Sequence, residues 1–177
     1  MHPSTPIGPH SDKPEFYTQV RQQLAALLKD ESDLVANTAN AAALLYHSLP
    51  DVNWVGFYFS KGDDLVLGPF QGKPACSRIG IGKGVCGTAA AKQQTVIVPD
   101  VSRFDGHIAC DSASRSEIVV PLINWGKLVG VLDVDSPTPN RFDEDDAEGL
   151  EVIVAVLLSL LPTDNMPELT EETAVTT

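Results

Sequence analysis

The sequence is poor in basic residues and has no long hydrophobic run, and both shortages exclude kinds of partner. Twelve lysines and arginines stand against 24 aspartates and glutamates, which gives a formal net charge of −12 at pH 7. Nucleic acids and anionic membranes attract clusters of basic side chains, so we expect neither as a partner. The longest apolar run, Val152–Leu161 with Ser159 inside it, is about half the length of a membrane-spanning helix.

Cysteine is scarce, and the amino terminus lacks the basic start and apolar stretch of a secretory signal. The three cysteines are Cys76, Cys86 and Cys110. An odd number of cysteines without such a signal indicates a reducing compartment in which thiols persist. We therefore expect a cytoplasmic protein whose cysteines are available for chemistry.

What is present indicates one packed domain with short tails. The chain has 177 residues, of which 43% are hydrophobic and 20% are charged, and this is enough for a single globular core. Residues 1–13 are rich in proline and predict a flexible leader, while the acidic and polar residues 162–177 predict a flexible tail. The predicted domain covers residues 14–161.

Helical spacing of apolar residues predicts a helix from Pro14 and a second helix that follows an N-cap at Ser32 or Asp33 and ends at Pro50. A last helix is predicted from about Asp143. It is apolar almost all round, so it packs into the core or against another subunit.

Aromatic and β-branched runs predict strands at 54–59, 65–70, 95–98, 117–123 and 127–134. The stretches 71–87 and 99–115 show no sustained period and are predicted to be long loops, with a short helix at 85–92. The order of elements predicts an α+β domain in which the helices are segregated from one antiparallel sheet.

All three cysteines lie in the two stretches without a regular period. A thiol attacks as the thiolate, so a reactive cysteine requires an environment that lowers its pKa, and His107 would supply one for Cys110. Two other interpretations stay open. The cysteines are small core residues, or they bind a structural zinc ion together with His107, although the sequence has no close cysteine pair.

Three carboxylates form a second candidate group. Glu117 opens one predicted strand, and Asp133 and Asp135 share a face at the end of the next, because side chains in a strand alternate. Carboxylates on one face repel each other unless they hold a proton or a cation between them. The group would thus bind an ammonium ion or keep one carboxyl group neutral, and the alternative is a solvated strand end.

Trp54 and Tyr58 are four residues apart and therefore also share one face of their strand. Aromatic residues in this arrangement belong either to the core or to the wall of a binding pocket.

Seven segments together carry a family resemblance, and they are Asn53–Tyr58, Leu67–Cys76, Gly82–Gly87, Val98–Val101, Gly106–Asp111, Ser116–Pro121 and Gly130–Ser136. They resemble the free methionine-(R)-sulfoxide reductases, a family built on a single GAF domain. The resemblance spans roughly Phe16 to Leu161 and includes all three cysteines, and it departs at Asp105, where the family usually has proline. It implies a GAF-like fold, related to PAS domains, with a central antiparallel sheet and helices packed on one side.

The resemblance also implies roles for the cysteines. Cys110 would attack the sulfur of methionine sulfoxide and become a sulfenic acid, and Cys76 would then close a disulfide with it. Cys86 would be either an alternative resolving thiol or a bystander. An external dithiol, thioredoxin, would reduce the disulfide, so that no bound cofactor is expected.

For the remaining residues, the resemblance implies a pocket for the free amino acid. Glu117 and Asp135 would polarise the sulfoxide oxygen, and Asp133 would join them in holding the substrate ammonium group. Trp54 would contact the terminal methyl group, and Tyr58 would line the same pocket. Backbone amides of the loop at 99–116 would bind the substrate carboxylate.

Two further expectations follow. The apolar last helix and the family resemblance both favour a homodimer. The alternative function is a GAF sensory module that binds a small ligand or senses oxidants through a reversible disulfide.

Overall fold

The computed structural model describes residues 12–108 and 111–160. Within these ranges the chain forms four α-helices and six β-strands. In chain order they are α1 (Lys13–Leu28), α2 (Leu34–Ser48), β1 (Trp54–Lys61), β2 (Asp64–Gln71), β3 (Arg78–Gly80), α3 (Gly84–Lys92), β4 (Val96–Val98), β5 (Ser116–Asn124), β6 (Lys127–Ser136) and α4 (Glu144–Ser159).

The strands form one antiparallel sheet in the order β3-β2-β1-β6-β5-β4. Two hairpins, β1–β2 and β5–β6, lie side by side, so that β1 and β6 pair at the centre of the sheet. The predicted α+β class with a central antiparallel sheet is therefore confirmed.

The alternation of side chains gives the sheet two different faces. On one face, residues such as Val55, Phe57 and Leu132 form the main core with α1, α2 and α4. On the other face, Trp54 and Tyr58 pack in a second core with α3. The expected packing of helices on one side describes α1, α2 and α4, and the short helix α3 covers the opposite face.

Side-chain caps fix the starts of the helices α2 and α4. Asp33 caps α2 by accepting a hydrogen bond from the backbone N–H of Ala36 at 2.8 Å. Asp143 and Asp146 form a capping box at the start of α4. The buried Asp146 also accepts hydrogen bonds from Lys13 at 2.6 Å and Tyr17 at 2.8 Å, which fastens α1 to α4.

The two predicted loops contain some regular structure. The stretch 71–87 includes β3 and the first turn of α3, and the stretch 99–115 includes a short 3-10 helix at Val101–Arg103. Residues 1–11, 109–110 and 161–177 are outside the described residues, so the predicted flexible leader and tail stay predictions. In the described part of the chain no helix has both the length and the apolar character that a membrane span requires.

Candidate active site

Strand register brings the predicted site residues onto one face of the sheet. Glu117 pairs with Asp135 across β5 and β6, and Asp135 pairs with Trp54 across β6 and β1. Paired residues in adjacent strands point to the same side, and so do residues two or four apart in one strand. Asp133 and Tyr58 therefore join them on the face that α3 covers.

The three carboxylates of this face lie close together in a poorly solvated place. Glu117 and Asp133 are only 6% and 7% exposed. Burial, reinforced by the charge of Asp135, raises the pKa of Glu117, and burial together with Glu117 raises the pKa of Asp133. The pKa of Asp135 is raised by burial and by Asp133. The group therefore keeps protons at a pH where exposed carboxyl groups have lost them.

Cys86 projects from α3 onto the same carboxylates. Its side chain is buried, and its thiol donates a long hydrogen bond to Glu117 Oε1 at 3.9 Å. Burial, with the charges of Asp133 and Glu117, raises the pKa of the Cys86 thiol. A protonated, buried thiol is a poor nucleophile, so these surroundings favour the bystander of the two roles considered for Cys86.

His107 faces the other oxygen of Glu117. Its Nε2 atom lies 3.6 Å from Glu117 Oε2. Burial lowers the pKa of His107 below its ordinary value, so the imidazole is mainly uncharged at neutral pH. The sequence indicated His107 as a neighbour that acts on Cys110, whereas the contact that the structure describes is with Glu117.

An aromatic stack forms the floor of the site. The Trp54 ring lies between Tyr58 and Phe70, with centroid separations of 5.9 and 5.4 Å. Gly56 makes this possible, because a Cβ atom there would clash with the Trp54 ring. The ring of Trp54 is thus held in place by its aromatic neighbours and by the absence of a side chain at Gly56.

The same two aromatic residues hold the segment that carries Cys76. Trp54 Nε1 donates a hydrogen bond to the carbonyl oxygen of Lys73 at 3.1 Å. The Tyr58 hydroxyl donates to the carbonyl oxygen of Cys76, also at 3.1 Å. Cys76 itself is half-buried, between β2 and β3. The two aromatic side chains therefore anchor the backbone at Lys73 and at Cys76 itself.

Two small cavities of about 30 Å³ and about 10 Å³ lie against the site. Tyr58, Asp111, Asp133 and Asp135 line both of them, so the two are neighbouring parts of one recess. Cys86 and Glu117 line the larger part, and Trp54 lines the smaller. A separate groove of about 1100 Å³ runs along α4 and β5 and includes none of the predicted site residues among the described residues that line it.

Sequence analysis missed the polar network that closes one side of the recess. Asn53 Nδ2 donates hydrogen bonds to Asp111 Oδ2 at 3.2 Å and to Ser114 Oγ at 3.1 Å. Asp111 also accepts from the Ala113 backbone N–H and pairs with Lys73 at 3.1 Å. The hydrogen bond from Ala113 lowers the pKa of Asp111 most, and the contacts with Lys73 and Asn53 lower it further. Asn53 and Asp111 stand within motifs, but no local pattern predicts that they meet across 58 residues.

The predicted nucleophile, Cys110, lies outside the described residues together with Ala109. Their chain neighbours on either side, Ile108 and Asp111, both line the larger part of the recess.

The ligand atoms of Cys86, Glu117 and Asp133 lie within 4.8 Å of one another, which is the spacing of a metal-binding group. The zinc site considered from the sequence combined His107, Cys76, Cys86 and Cys110. Of the members of that set that the structure describes, Cys86 alone belongs to this group.

The chain is similar to proteins of known family and to solved structures. The family model for the GAF domain matches residues 20–159, so the chain is a GAF-domain protein. The free methionine-R-sulfoxide reductase of Escherichia coli is 51% identical over 152 residues, which cover 86% of this chain and 92% of that protein. Protein YtsP of Bacillus subtilis is 60% identical over 141 residues, which cover 78% of this chain and 86% of that protein.

Among solved structures, free methionine-R-sulfoxide reductase from Neisseria meningitidis in complex with its substrate is similar with a TM-score of 0.85 and 48% sequence identity. The match covers 90% of this chain and 95% of that chain. The present chain belongs to the free methionine-R-sulfoxide reductase family of GAF-domain proteins. The family predicted from the sequence motifs is confirmed.

Proposed function

We propose that this protein is an oxidoreductase that reduces free methionine-(R)-sulfoxide to methionine. The observation that carries the proposal is the buried group of Glu117, Asp133 and Asp135 on the face that also presents Trp54 and Tyr58. Because burial and mutual repulsion raise the pKa of these groups, one carboxyl group keeps a proton for the sulfoxide oxygen, while an ionised companion provides negative charge for an ammonium group. The similarity to the family supports the choice of substrate.

In the first step, the Cys110 thiolate attacks the sulfoxide sulfur. A neutral carboxyl group of Glu117 or Asp135 donates a proton to the sulfoxide oxygen, because that oxygen is a poor leaving group until it is protonated. The oxygen then moves with this proton from the substrate sulfur to the Cys110 sulfur. The substrate S–O bond and the transient S–S bond both break, so that Cys110 becomes a sulfenic acid and methionine departs. Ile108 and Asp111, which flank Ala109 and Cys110 in the chain, line the recess, and this supports Cys110 as the nucleophile.

In the second step, the Cys76 thiolate attacks the sulfenic sulfur, which forms a disulfide and releases water. The half-buried position of Cys76 suits this role better than the buried, protonated thiol of Cys86. Thioredoxin, an external dithiol, then reduces the disulfide by thiol exchange, so that no bound cofactor is required. Such a cycle operates in a reducing compartment, and we assign the protein to the cytoplasm on this ground.

The recess selects the free amino acid through its charged ends. Asp133, with Glu117 and Asp135, holds the ammonium group, and Trp54 contacts the methyl group. Backbone amides of the loop at 99–116 bind the carboxylate. A methionine within a polypeptide has neither charged end, and it would leave the buried carboxylates without a cation.

We also propose that the protein forms a homodimer. Val152 on α4 is 45% exposed, and Trp125, which lines the groove along α4 and β5, is 82% exposed. Light scattering on the purified protein measures the mass directly. Twice the chain mass supports the dimer, and the mass of one chain contradicts it.

The activity is tested by incubating the reduced protein with dithiothreitol and each epimer of free methionine sulfoxide, and then measuring methionine. Consumption of the R epimer alone supports the enzyme. No methionine from either epimer, with the thiols intact, would instead favour a sensory module that forms a reversible disulfide.

A further inference from the structure

Three potential metal ligands from three different elements converge beside the recess. Cys86 comes from α3, Glu117 from β5 and Asp133 from β6, and their ligand atoms lie within 4.8 Å of one another. The three side chains are 4%, 6% and 7% exposed. Tertiary packing therefore forms this cluster, and no local sequence motif encodes it.

The spacing suits a small divalent ion. Cys86 Sγ and Glu117 Oε1 are 3.9 Å apart. A tetrahedral zinc ion with bonds of about 2.3 Å to sulfur and about 2.1 Å to oxygen separates those two atoms by about 3.6 Å. A shift of a few tenths of an ångström would bring Cys86 and Glu117 to that separation, and Asp133 lies within 4.8 Å of both.

Asp133 provides an independent indication of a missing ligand. Its Oδ1 atom is buried and has no hydrogen-bond partner among the residues that the structure describes. A buried carboxylate oxygen without a partner is unfavourable, and a cation in contact with it would satisfy it.

The surrounding charges also favour a cation. Asp135 pairs with Glu117 in the ladder and adds a third carboxylate to the same face. Within the described ranges, the basic side chain at ion-pair distance from Glu117 or Asp133 is His107, whose Nε2 lies 3.6 Å from Glu117 Oε2. His107 lies next to the Glu117 oxygen that faces away from Cys86 in this pairing, where outer partners of metal ligands are found.

We propose that Cys86, Glu117 and Asp133 form a binding site for a thiophilic divalent transition-metal ion, with Zn²⁺ as the probe. One sulfur and two carboxylate oxygens exclude Mg²⁺ and Ca²⁺, which take oxygen ligands, and fit zinc. The Cys86 thiol gives its proton to solvent when the ion binds. The inference rests on the proposed function in one respect, which is that the ion occupies carboxylates required by the substrate and therefore inhibits its reduction.

Metal binding is measured without substrate, so that a protein with no reductase activity can still pass or fail the test. Zn²⁺ is titrated into the reduced protein in competition with a chromophoric chelator, and Co²⁺ binding is followed through its thiolate charge-transfer band. We expect one ion per chain. Cys86→Ser and the nearly isosteric Asp133→Asn should each weaken binding at least about 10-fold, and Cys86→Ser should abolish the Co²⁺ band.

Cys76→Ser is the matched control, because it removes a thiol outside the cluster and should leave both signals unchanged. Zn²⁺ affinity that survives both Cys86→Ser and Asp133→Asn would overturn the inference, and so would affinity that is lost in Cys76→Ser. If the wild-type protein binds Zn²⁺ as expected, addition of free methionine-(R)-sulfoxide should weaken the binding, since both ligands use the same carboxylates.

Discussion

Glu117 and Asp135 lie directly opposite each other in the ladder between β5 and β6, and Asp133 is two residues further along β6 on the same face. This pairing concentrates three acidic side chains in a buried patch between the sheet and α3. Such a concentration of charge opposes folding, and proteins retain arrangements of this kind where function requires them. The energetic cost of the patch and its chemical use can be measured separately.

Replacement of Glu117 by Gln tests whether the patch supplies a proton in the reaction. The amide cannot deliver a proton to the sulfoxide oxygen, so we expect kcat for free methionine-(R)-sulfoxide to fall about 100-fold or more, the usual effect of losing a general acid. Glu148→Gln is the matched control, because Glu148 is exposed on α4, and it should keep wild-type kcat. Equal activity of Glu117→Gln and the control would exclude Glu117 as the acid.

Replacement of Asp133 by Asn tests how much the buried acidic patch destabilises the folded protein. The raised pKa of Asp133 means that the folded chain binds this proton more tightly than the unfolded chain. Stability from this group is therefore lost as pH rises from the ordinary carboxyl pKa, about 3.9, through the folded pKa. Because an amide does not ionise, Asp133→Asn should stabilise the protein at pH 7, by about 1.4 kcal/mol for each unit of pKa shift.

Urea unfolding of wild type and Asp133→Asn across pH 3 to 8 measures this effect. The two curves should converge near the lower limit and separate steadily toward neutral pH. The exposed Asp30→Asn serves as the control and should track the wild type. An Asp133→Asn variant that is less stable than wild type at pH 7 would contradict the assigned direction.

The two tryptophans form a natural pair for testing the floor of the site. Trp54→Phe removes the hydrogen bond to the Lys73 carbonyl oxygen and part of the aromatic stack. We expect the free energy of unfolding to fall by about 2 kcal/mol, since a carbonyl group is left without its donor. Trp125 is 82% exposed, and Trp125→Phe should change the free energy by less than about 0.5 kcal/mol. Urea denaturation followed by circular dichroism gives both values, and equal losses would refute the assignment.

Asn53 tests the closure of the recess. Asn53→Ala removes the hydrogen bonds to Asp111 and Ser114, which hold the loop before β5 against the start of β1. We expect faster hydrogen exchange in residues 111–116 and a kcat/KM reduced about 10-fold, because the segment that follows the proposed nucleophile is less well positioned. Asn40→Ala, at an exposed position of α2, is the control. Unchanged exchange in the Asn53 variant would show that these bonds do not hold the loop.

The strand residues of the site were predictable because a period of two fixes which side chains share a face. Asp133 and Asp135 were placed together on this basis, as were Trp54 and Tyr58. The alignment of Asp135 with both Glu117 and Trp54 depends on the order of strands in the sheet. Local patterns do not encode strand order, so this alignment required the structure.

The short helix at 85–92 and the short strand at 95–98 were predicted and match α3 and β4, whereas the strand β3 and the loop contacts were not predictable for a related reason. The three-residue strand β3 lies in a stretch rich in glycine and exists through its pairing with β2, for example Ile79 with Leu65. The position of α3 on the opposite face is likewise set by tertiary contacts, because its small residues give only a weak pattern. The approach of His107 to Glu117 depends on the path of an irregular loop.

A single turnover without reductant tests the central claim most directly. Fully reduced protein is mixed with excess free methionine-(R)-sulfoxide, and the methionine released per chain is counted. Without reductant, the account predicts release of about one methionine per chain from wild type and from Cys76→Ser, and no release from Cys110→Ser. When thioredoxin is then added, wild type should continue to turn over and Cys76→Ser should stall. If Cys110→Ser released as much methionine as wild type, the proposed nucleophile and the mechanism that depends on it would be contradicted.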